Sequence, residues 1–134
     1  MVRLLASVPV LLAGVYLLAL AAVAIASPQR AKDFLGSFAG SASAHFLELF
    51  IRLIVGGALT ISAPWMKFSG VFLVAGWVIL VTTALMFAVP WRWHQRFAQW
   101  SVPMATRNMP LFAFGSFAAG VAVIASLLLG PALK

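Results

Sequence analysis

The stretch FSGVFLVAGWVILVTTALMFAV, residues 68–89, runs for 22 residues without a charged side chain. Roughly 20 helical residues are needed to cross the hydrocarbon core of a membrane, because an α-helix rises about 1.5 Å per residue and the core is about 30 Å thick. Within lipid, a single segment satisfies all its backbone hydrogen bonds only as a helix. The stretch Phe68–Val89 therefore predicts a transmembrane helix.

Three further segments have the same character. Leu4–Ala26 and Leu111–Leu129 are free of charge, and Ala44–Ala63 is apolar apart from Glu48 and Arg52. The whole chain is 64% hydrophobic and 8% charged, with a mean hydropathy of +1.10, whereas about a quarter of the residues in ordinary soluble domains are charged. The sequence predicts an all-α integral membrane protein with four transmembrane helices.

The first segment has an alternative interpretation. Arg3 precedes its apolar run, which ends in Ala24-Ile25-Ala26, and this pattern also occurs at the cleavage site of a secretory signal peptide. The run is longer than the apolar core of a typical signal peptide, which has about 7–15 residues. We therefore expect a membrane span here.

Two connectors, residues 28–43 and 90–110, are long and polar. Each begins with a proline, Pro28 or Pro90, which ends the preceding helix but is tolerated in the first turn of a new one. Apolar side chains then recur at helical spacing opposite polar ones, which predicts amphipathic helices that lie in the membrane interface. The apolar sides consist of Ala31, Phe34, Leu35 and Phe38 in the first connector and of Trp93, Phe97 and Trp100 in the second.

The second connector also combines aromatic and cationic side chains. Tryptophan is enriched at the membrane interface, and arginine is attracted to anionic lipid headgroups. We therefore predict interfacial or lipid-headgroup anchors in this connector, although a quinone or headgroup pocket could be built from the same residues. The predicted anchors are Trp91, Arg92, Trp93, Arg96 and Trp100.

A shift of 62 positions aligns the two halves of the chain. It places LLAGVYLLAL (11–20) on LVAGWVILVT (73–82) and Pro28 on Pro90. Over residues 11–50 the shift gives ten identities, where chance in this composition gives about four. We predict two tandem two-span repeats, related by an axis along the membrane normal. The predicted single membrane domain is 1–134, and its candidate repeats are 1–62 and 63–134.

The net charge of +7 arises from nine Lys and Arg against Asp33 and Glu48. The cations stand singly between apolar segments, so the expected partner is the lipid bilayer and not nucleic acid, which requires a clustered basic patch. Positive residues favour the cytoplasmic side, which predicts cytoplasmic long connectors and external termini in a bacterial-type inner membrane. The long connectors hold Arg30, Lys32, Arg92, Arg96 and Arg107, against Arg3, Lys67 and Lys134 on the other side.

Glu48 and Arg52 lie four residues apart, and therefore on one face of a helix. In the functional interpretation, Glu48 is a proton or cation site in a transport path and Arg52 holds its charge. In the structural interpretation, the helix dipole stabilises Glu48 near the start of its helix while Arg52 pairs with it and extends toward the same interface. We favour the structural interpretation, because no second carboxylate within a span could continue a relay.

His45 and His94 are the only histidines, and the topology places both at the same membrane face. Two axial imidazoles could hold a b-type haem between the second and third spans. Neither histidine lies well inside a span, so we expect two interfacial polar residues instead. Without cysteine and with one nearby acid, the sequence predicts no metal site and no cofactor.

No hydrolase, metalloprotease or phosphate-loop motif occurs in the sequence, so we predict no enzymatic activity. Small residues, including Gly56, Gly57, Gly115 and Gly120, favour close packing of helices in lipid. The favoured function is a non-catalytic accessory or scaffold subunit that packs with a larger membrane complex or with itself as a homo-oligomer. The alternatives are a minimal transporter or channel that uses Glu48 and Arg52, and a haem- or quinone-linked respiratory subunit.

Overall fold

The computed structural model describes residues 1–37 and 40–130, and the regular elements in these ranges are all helical. Four of the six α-helices are long and apolar enough to cross a membrane, as predicted. The other two lie in the long connectors. Phe38, predicted on the apolar side of the first connector, lies outside the described residues. The helices are α1 (Val2–Ala26), α2 (Pro28–Ser37), α3 (Ala42–Ser62), α4 (Ser69–Ala88), α5 (Trp91–Ala105) and α6 (Met109–Leu128).

The helix ends follow from local chemistry, and each lies within two residues of its predicted position for all four spans. Ser41 caps α3, because its hydroxyl accepts a hydrogen bond from the backbone N–H of Ala44 at 3.2 Å. Asn108 caps α6 by accepting from the N–H of Leu111 at 3.3 Å. After α3, a 3₁₀ turn over Ala63–Trp65 tightens the short connection to α4.

The four long helices form two antiparallel pairs, α1 with α6 and α3 with α4, and the contact between α1 and α3 joins the pairs. All four contribute to one central apolar cluster, so they form a single bundle. Its buried members are Val10, Ala58, Leu59, Ala63, Met66 and Phe72, with Val123 and Leu127 of α6 packed against them.

Each pair crosses at glycines where the backbones approach closely. A Cβ atom at Gly120 of α6 would lie 2.9 Å from the Gly14 carbonyl oxygen of α1. At Gly76 of α4, a Cβ atom would lie 2.9 Å from the Thr60 backbone nitrogen of α3 and 3.1 Å from the Gly56 carbonyl oxygen. Side chains larger than hydrogen would force these helices apart, and close approach is a main source of helix attraction in lipid.

The small-residue prediction is thus correct for Gly56 and Gly120, which lie at the crossings. A Cβ atom at Gly57 or Gly115 would meet nothing within 4 Å, so these two glycines do not serve the packing within the chain. The rotation of each helix about its axis decides which glycine faces a neighbour, and spacing alone does not reveal it.

The two long connectors lie at the same end of the bundle, where α2 packs against α5. At the opposite end, the Lys67 N–H donates to the Ser126 carbonyl oxygen at 2.9 Å, which ties the α3–α4 turn to the end of α6. There the Arg3 guanidinium also lies over the Trp65 ring, 5.9 Å from its centroid. The bundle therefore has one end built of short helices and one end closed by a tight turn.

Candidate functional site: a polar cluster beneath the α5 helix

Six polar side chains from three helices meet at the end of the bundle that carries α2 and α5. They connect through hydrogen bonds and ion pairs, and we call them the polar cluster. Its members are His45, Glu48 and Arg52 of α3, Thr82 and Thr83 of α4, and His94 of α5.

Arg52 joins α3 to α4. Its Nη2 donates to the Thr82 hydroxyl at 2.6 Å, and its Nε donates to the Thr83 hydroxyl at 3.0 Å. The Glu48 Oε1 atom lies farther away, 3.8 Å from Nη1, which is an ion-pair distance beyond the range of a strong hydrogen bond. The threonines therefore fix the position of the guanidinium, and Glu48 balances its charge.

The helix geometry explains how one arginine reaches these partners. Arg52 lies ten residues after Ala42, which is about 15 Å along α3. Side chains on a helix lean toward its N-terminus, so Arg52 extends back toward Glu48 and the connector end. The threonine hydroxyls donate to carbonyl oxygens of their own helix, Thr82 to Val78 at 2.7 Å and Thr83 to Ile79 at 2.6 Å. Their oxygen lone pairs thus remain free to accept from Arg52.

His45 and His94 form the contact between α3 and α5. Their Nδ1 atoms lie 2.6 Å apart, and the His45 side chain is buried. The other ring nitrogen of His94, Nε2, lies 3.5 Å from the Glu48 Oε2 atom. Because Glu48 accepts and cannot donate, we assign the proton of neutral His94 to Nε2. His45 Nδ1–H then donates to His94 Nδ1.

The environment of His94 disfavours its charged form. Burial lowers the pKa of His94 below its ordinary value of 6.5, and this is the largest effect. The Glu48 carboxylate raises the pKa of His94, whereas the charges of His45 and Arg52 lower it. The lowering effects are larger in sum, so His94 is neutral at pH 7.

Tyr16 of α1 contacts the α2 helix at the connector end of the bundle. Its ring centroid lies 6.1 Å from that of Phe34.

The structure unites the four predicted polar residues, since Glu48 and Arg52 form the expected pair and both histidines adjoin it. Thr82 and Thr83 were not predicted from the sequence as members of this cluster. Two adjacent threonines within an otherwise apolar span were a usable signal, because the neighbouring span carries an arginine that requires acceptors.

The histidine geometry differs from that of a haem site. Bonds between imidazole nitrogen and a metal are about 2 Å long, so two axial nitrogens lie about 4 Å apart, whereas the His45 and His94 nitrogens bond directly to each other. His94 also directs different ring nitrogens at His45 and Glu48, so these groups do not converge on one point. Among the described residues, no group of three or more His, Cys, Asp or Glu side chains could hold a metal ion.

The predicted anchors lie along α5. Arg92, Trp93, Arg96 and Trp100 are exposed, and Trp91 is partly buried. The exposed aromatic side of α5 is turned away from its partly buried side, which carries His94. The helix therefore presents an aromatic and cationic surface outward, and the anchoring role of these residues stays a prediction.

No protein-family model, curated protein or solved structure matches the chain.

Proposed function

We propose that this chain is a non-catalytic accessory membrane protein that packs side by side with a larger membrane complex or with a second copy of itself. The observation that carries the proposal is the outer face of α4. Only Phe72, Gly76 and Thr83 of this helix are buried. Its apolar segment has a smaller buried share than those of the other three candidate spans. The opposite side of the helix is therefore available to a neighbour.

Trp77 lies on the exposed side of α4, near the middle of the helix. It is eight residues after Ser69, about 12 Å along a helix of about 30 Å, and its side chain is 55% exposed. Tryptophan normally lies at the membrane interface, because its N–H requires a hydrogen-bond acceptor that hydrocarbon does not supply. A neighbouring helix would cover the ring and could provide an acceptor, which favours a packed surface over a lipid-facing one.

The polar cluster supports an accessory role more than transport. The Glu48 carboxylate lies between Arg52 and His94, and Arg52 is bonded to two threonines. Toward the opposite end, the buried polar side chains among the described residues are Ser62 and Ser126, and neither is charged. Beyond the cluster, the described residues therefore provide no series of buried ionisable groups along which a proton or ion could be transferred.

We further propose that the two halves of the chain are diverged tandem repeats. Gly14 and Gly76 are 62 residues apart, and each lies at the crossing of a helix pair, α1 with α6 and α4 with α3. The polar cluster has no counterpart in the other half, because the same shift places Arg52 on Phe114 and Thr83 on Ala21. In this proposal, one half kept a packing role while the other acquired the cluster.

The orientation that we propose places the long connectors on the cytoplasmic side of a bacterial-type inner membrane. The excess of Lys and Arg in these connectors supports it. The exposed Trp93 and Trp100 would then lie at the cytoplasmic interface, with Arg92 and Arg96 near anionic headgroups.

Cross-linking tests the lateral surface cleanly, because the chain contains no cysteine. Val74→Cys places a single thiol on the outer face of α4, where Val74 is 63% exposed. Leu12→Cys is the matched control, since Leu12 is 61% exposed and is the repeat equivalent on α1. A photoreactive maleimide attached to each thiol in native membranes should give protein adducts for Val74→Cys and mainly lipid adducts for Leu12→Cys.

Two results would contradict the proposal. Lipid adducts alone at position 74 would show that the outer face of α4 contacts lipid and not another protein. Loss of ion or solute flux in proteoliposomes on Glu48→Gln, with unchanged thermal stability, would establish the transporter alternative instead.

A further inference from the structure

The α5 helix has few apolar contacts to hold it in place. None of its residues is buried. Trp91 is partly buried, and Trp93, Phe97 and Trp100 are each more than half exposed. Its specific bonds to α3 run through one side chain, because His94 contacts both His45 and Glu48. The docking of α5 on α3 thus depends on the state of that side chain, in addition to the packing of α2 against α5.

The His45–His94 contact tolerates a limited number of protons. With both rings neutral, one Nδ1–H lies between the two Nδ1 atoms, and one ring donates while the other accepts. A proton added to the accepting Nδ1 of His94 converts it to a donor. The contact then survives only if His45 gives up its Nδ1 proton, and once both rings are charged, two N–H groups face each other across 2.6 Å.

The charged groups around His94 determine how readily it takes up a proton. From α3, Glu48 favours the charged form of His94, and Arg52 and His45 oppose it. Tyr16 of α1 is neutral at physiological pH, and α4 contributes only the uncharged Thr82 and Thr83. The α2 helix, which also packs on α5, carries Arg30, Lys32 and Asp33 at the same end of the bundle.

We propose that His45 and His94 form a proton-binding site that latches α5 onto α3 when both rings are neutral and releases α5 when they take up protons. The site senses the pH on the side of the membrane where the long connectors lie. The latch is independent of the proposed lateral packing, because it acts at the connector end of the bundle and not on the outer face of α4.

The direction of the pH effect follows from linkage. The pKa of His94 in the docked state is lower than its ordinary value of 6.5, so the released state binds more protons in mild acid. The histidine contribution to docking is therefore complete above about pH 6.5 and is lost as the pH falls below it. No other side chain in this sequence has an ordinary pKa between 5 and 8, because the chain has two histidines and no cysteine.

Two single-cysteine variants report the release. Ala98 lies one helical turn after His94 on the same partly buried side, and Gln99 is exposed. The rate at which a water-soluble methanethiosulfonate labels Ala98→Cys, divided by the rate for Gln99→Cys at the same pH, cancels the ordinary pH dependence of thiol reactivity. We expect this ratio to rise between pH 8 and pH 5, because the released state of α5 binds more protons than the docked state.

The His45→Gln/His94→Gln double variant provides the control. Its labelling ratio should be the same at pH 8 and pH 5, whether α5 stays docked or stays released. A labelling ratio that stays constant between pH 8 and pH 5 with both histidines present would overturn the proposal. A rise of the same size in the double variant would also overturn it, since the response would then belong to other groups.

Discussion

Thr83 accepts a hydrogen bond from Arg52 Nε at 3.0 Å while it donates to the Ile79 carbonyl oxygen at 2.6 Å. The hydroxyl is fully buried, so this pair places a guanidinium inside an apolar span without leaving its donors to hydrocarbon. The relationship explains why the second predicted span tolerates an arginine. A neighbouring helix supplies neutral acceptors, and the carboxylate one turn away supplies the opposite charge.

Thr83→Val should lower the free energy of unfolding by about 1.5–3 kcal/mol, because it removes an acceptor from a charged donor and changes little in shape. Thermal unfolding in detergent, followed by circular dichroism, measures the effect. In a double-mutant cycle with Arg52→Met, the cost of Thr83→Val should largely vanish. If Thr83→Val lowered the free energy of unfolding equally with and without Arg52, the hydroxyl would stabilise the protein only through its bond within α4.

Arg52→Met should destabilise the protein by about 1–3 kcal/mol, since it leaves the Glu48 charge in a span with only His94 beside it. Adding Glu48→Gln should recover part of this loss, because the amide needs no counterion. The melting temperatures of Arg52→Met, of the double variant and of Glu48→Gln alone test whether the double variant is more stable than Arg52→Met. A double variant less stable than Arg52→Met would show that Glu48 has another stabilising contact.

Gly76→Ala should weaken the α3–α4 crossing, because the new Cβ atom would lie 2.9 Å from the Thr60 backbone nitrogen. Overpacking of this kind costs about 1–3 kcal/mol. Gly57→Ala is the matched control on the same helix pair, as its Cβ atom would meet nothing within 4 Å, and it should stabilise α3 by about 0.5–1 kcal/mol. Equal effects of the two substitutions on the melting temperature would exclude a close crossing at Gly76.

The pKa of His94 should respond with opposite signs to changes in its two charged neighbours. Glu48→Gln removes the charge that raises the pKa of His94, so this pKa should fall further below 6.5. Arg52→Met removes a charge that lowers the pKa of His94, so this pKa should rise. Nuclear magnetic resonance of isotope-labelled histidine rings over a pH series measures both, because only two rings contribute. If both substitutions moved the pKa of His94 in the same direction, Glu48 and Arg52 would not act on His94 with opposite signs.

Much of the architecture was predictable from the sequence. The apolar runs predict four long helices within two residues of their ends, because the thickness of a membrane sets their length and prolines or capping residues end them. The pairing of Glu48 with Arg52 was likewise predictable, since four residues return a helix to the same face. Both inferences depend on periodicity within one segment.

The polar cluster as a whole was harder to predict from the sequence, because its contacts join residues far apart in the chain. The donors of Arg52 reach threonines 30 and 31 positions away, and His45 and His94 are separated by 49. Hydropathy describes how apolar a segment is but not how far its helix is rotated about its own axis. For the same reason, Gly14 and Gly76 emerged as crossing points only from the structure.

By itself, the sequence determined that this chain has four helical segments long and apolar enough to cross a membrane, because a run of about 20 apolar residues can satisfy its own backbone hydrogen bonds as a helix. Only the tertiary structure decided that one arginine, two threonines, a glutamate and two histidines share a cluster beneath α5. The physical reason is that side-chain contacts between helices depend on their relative rotation and crossing, which are set by packing among all the helices together.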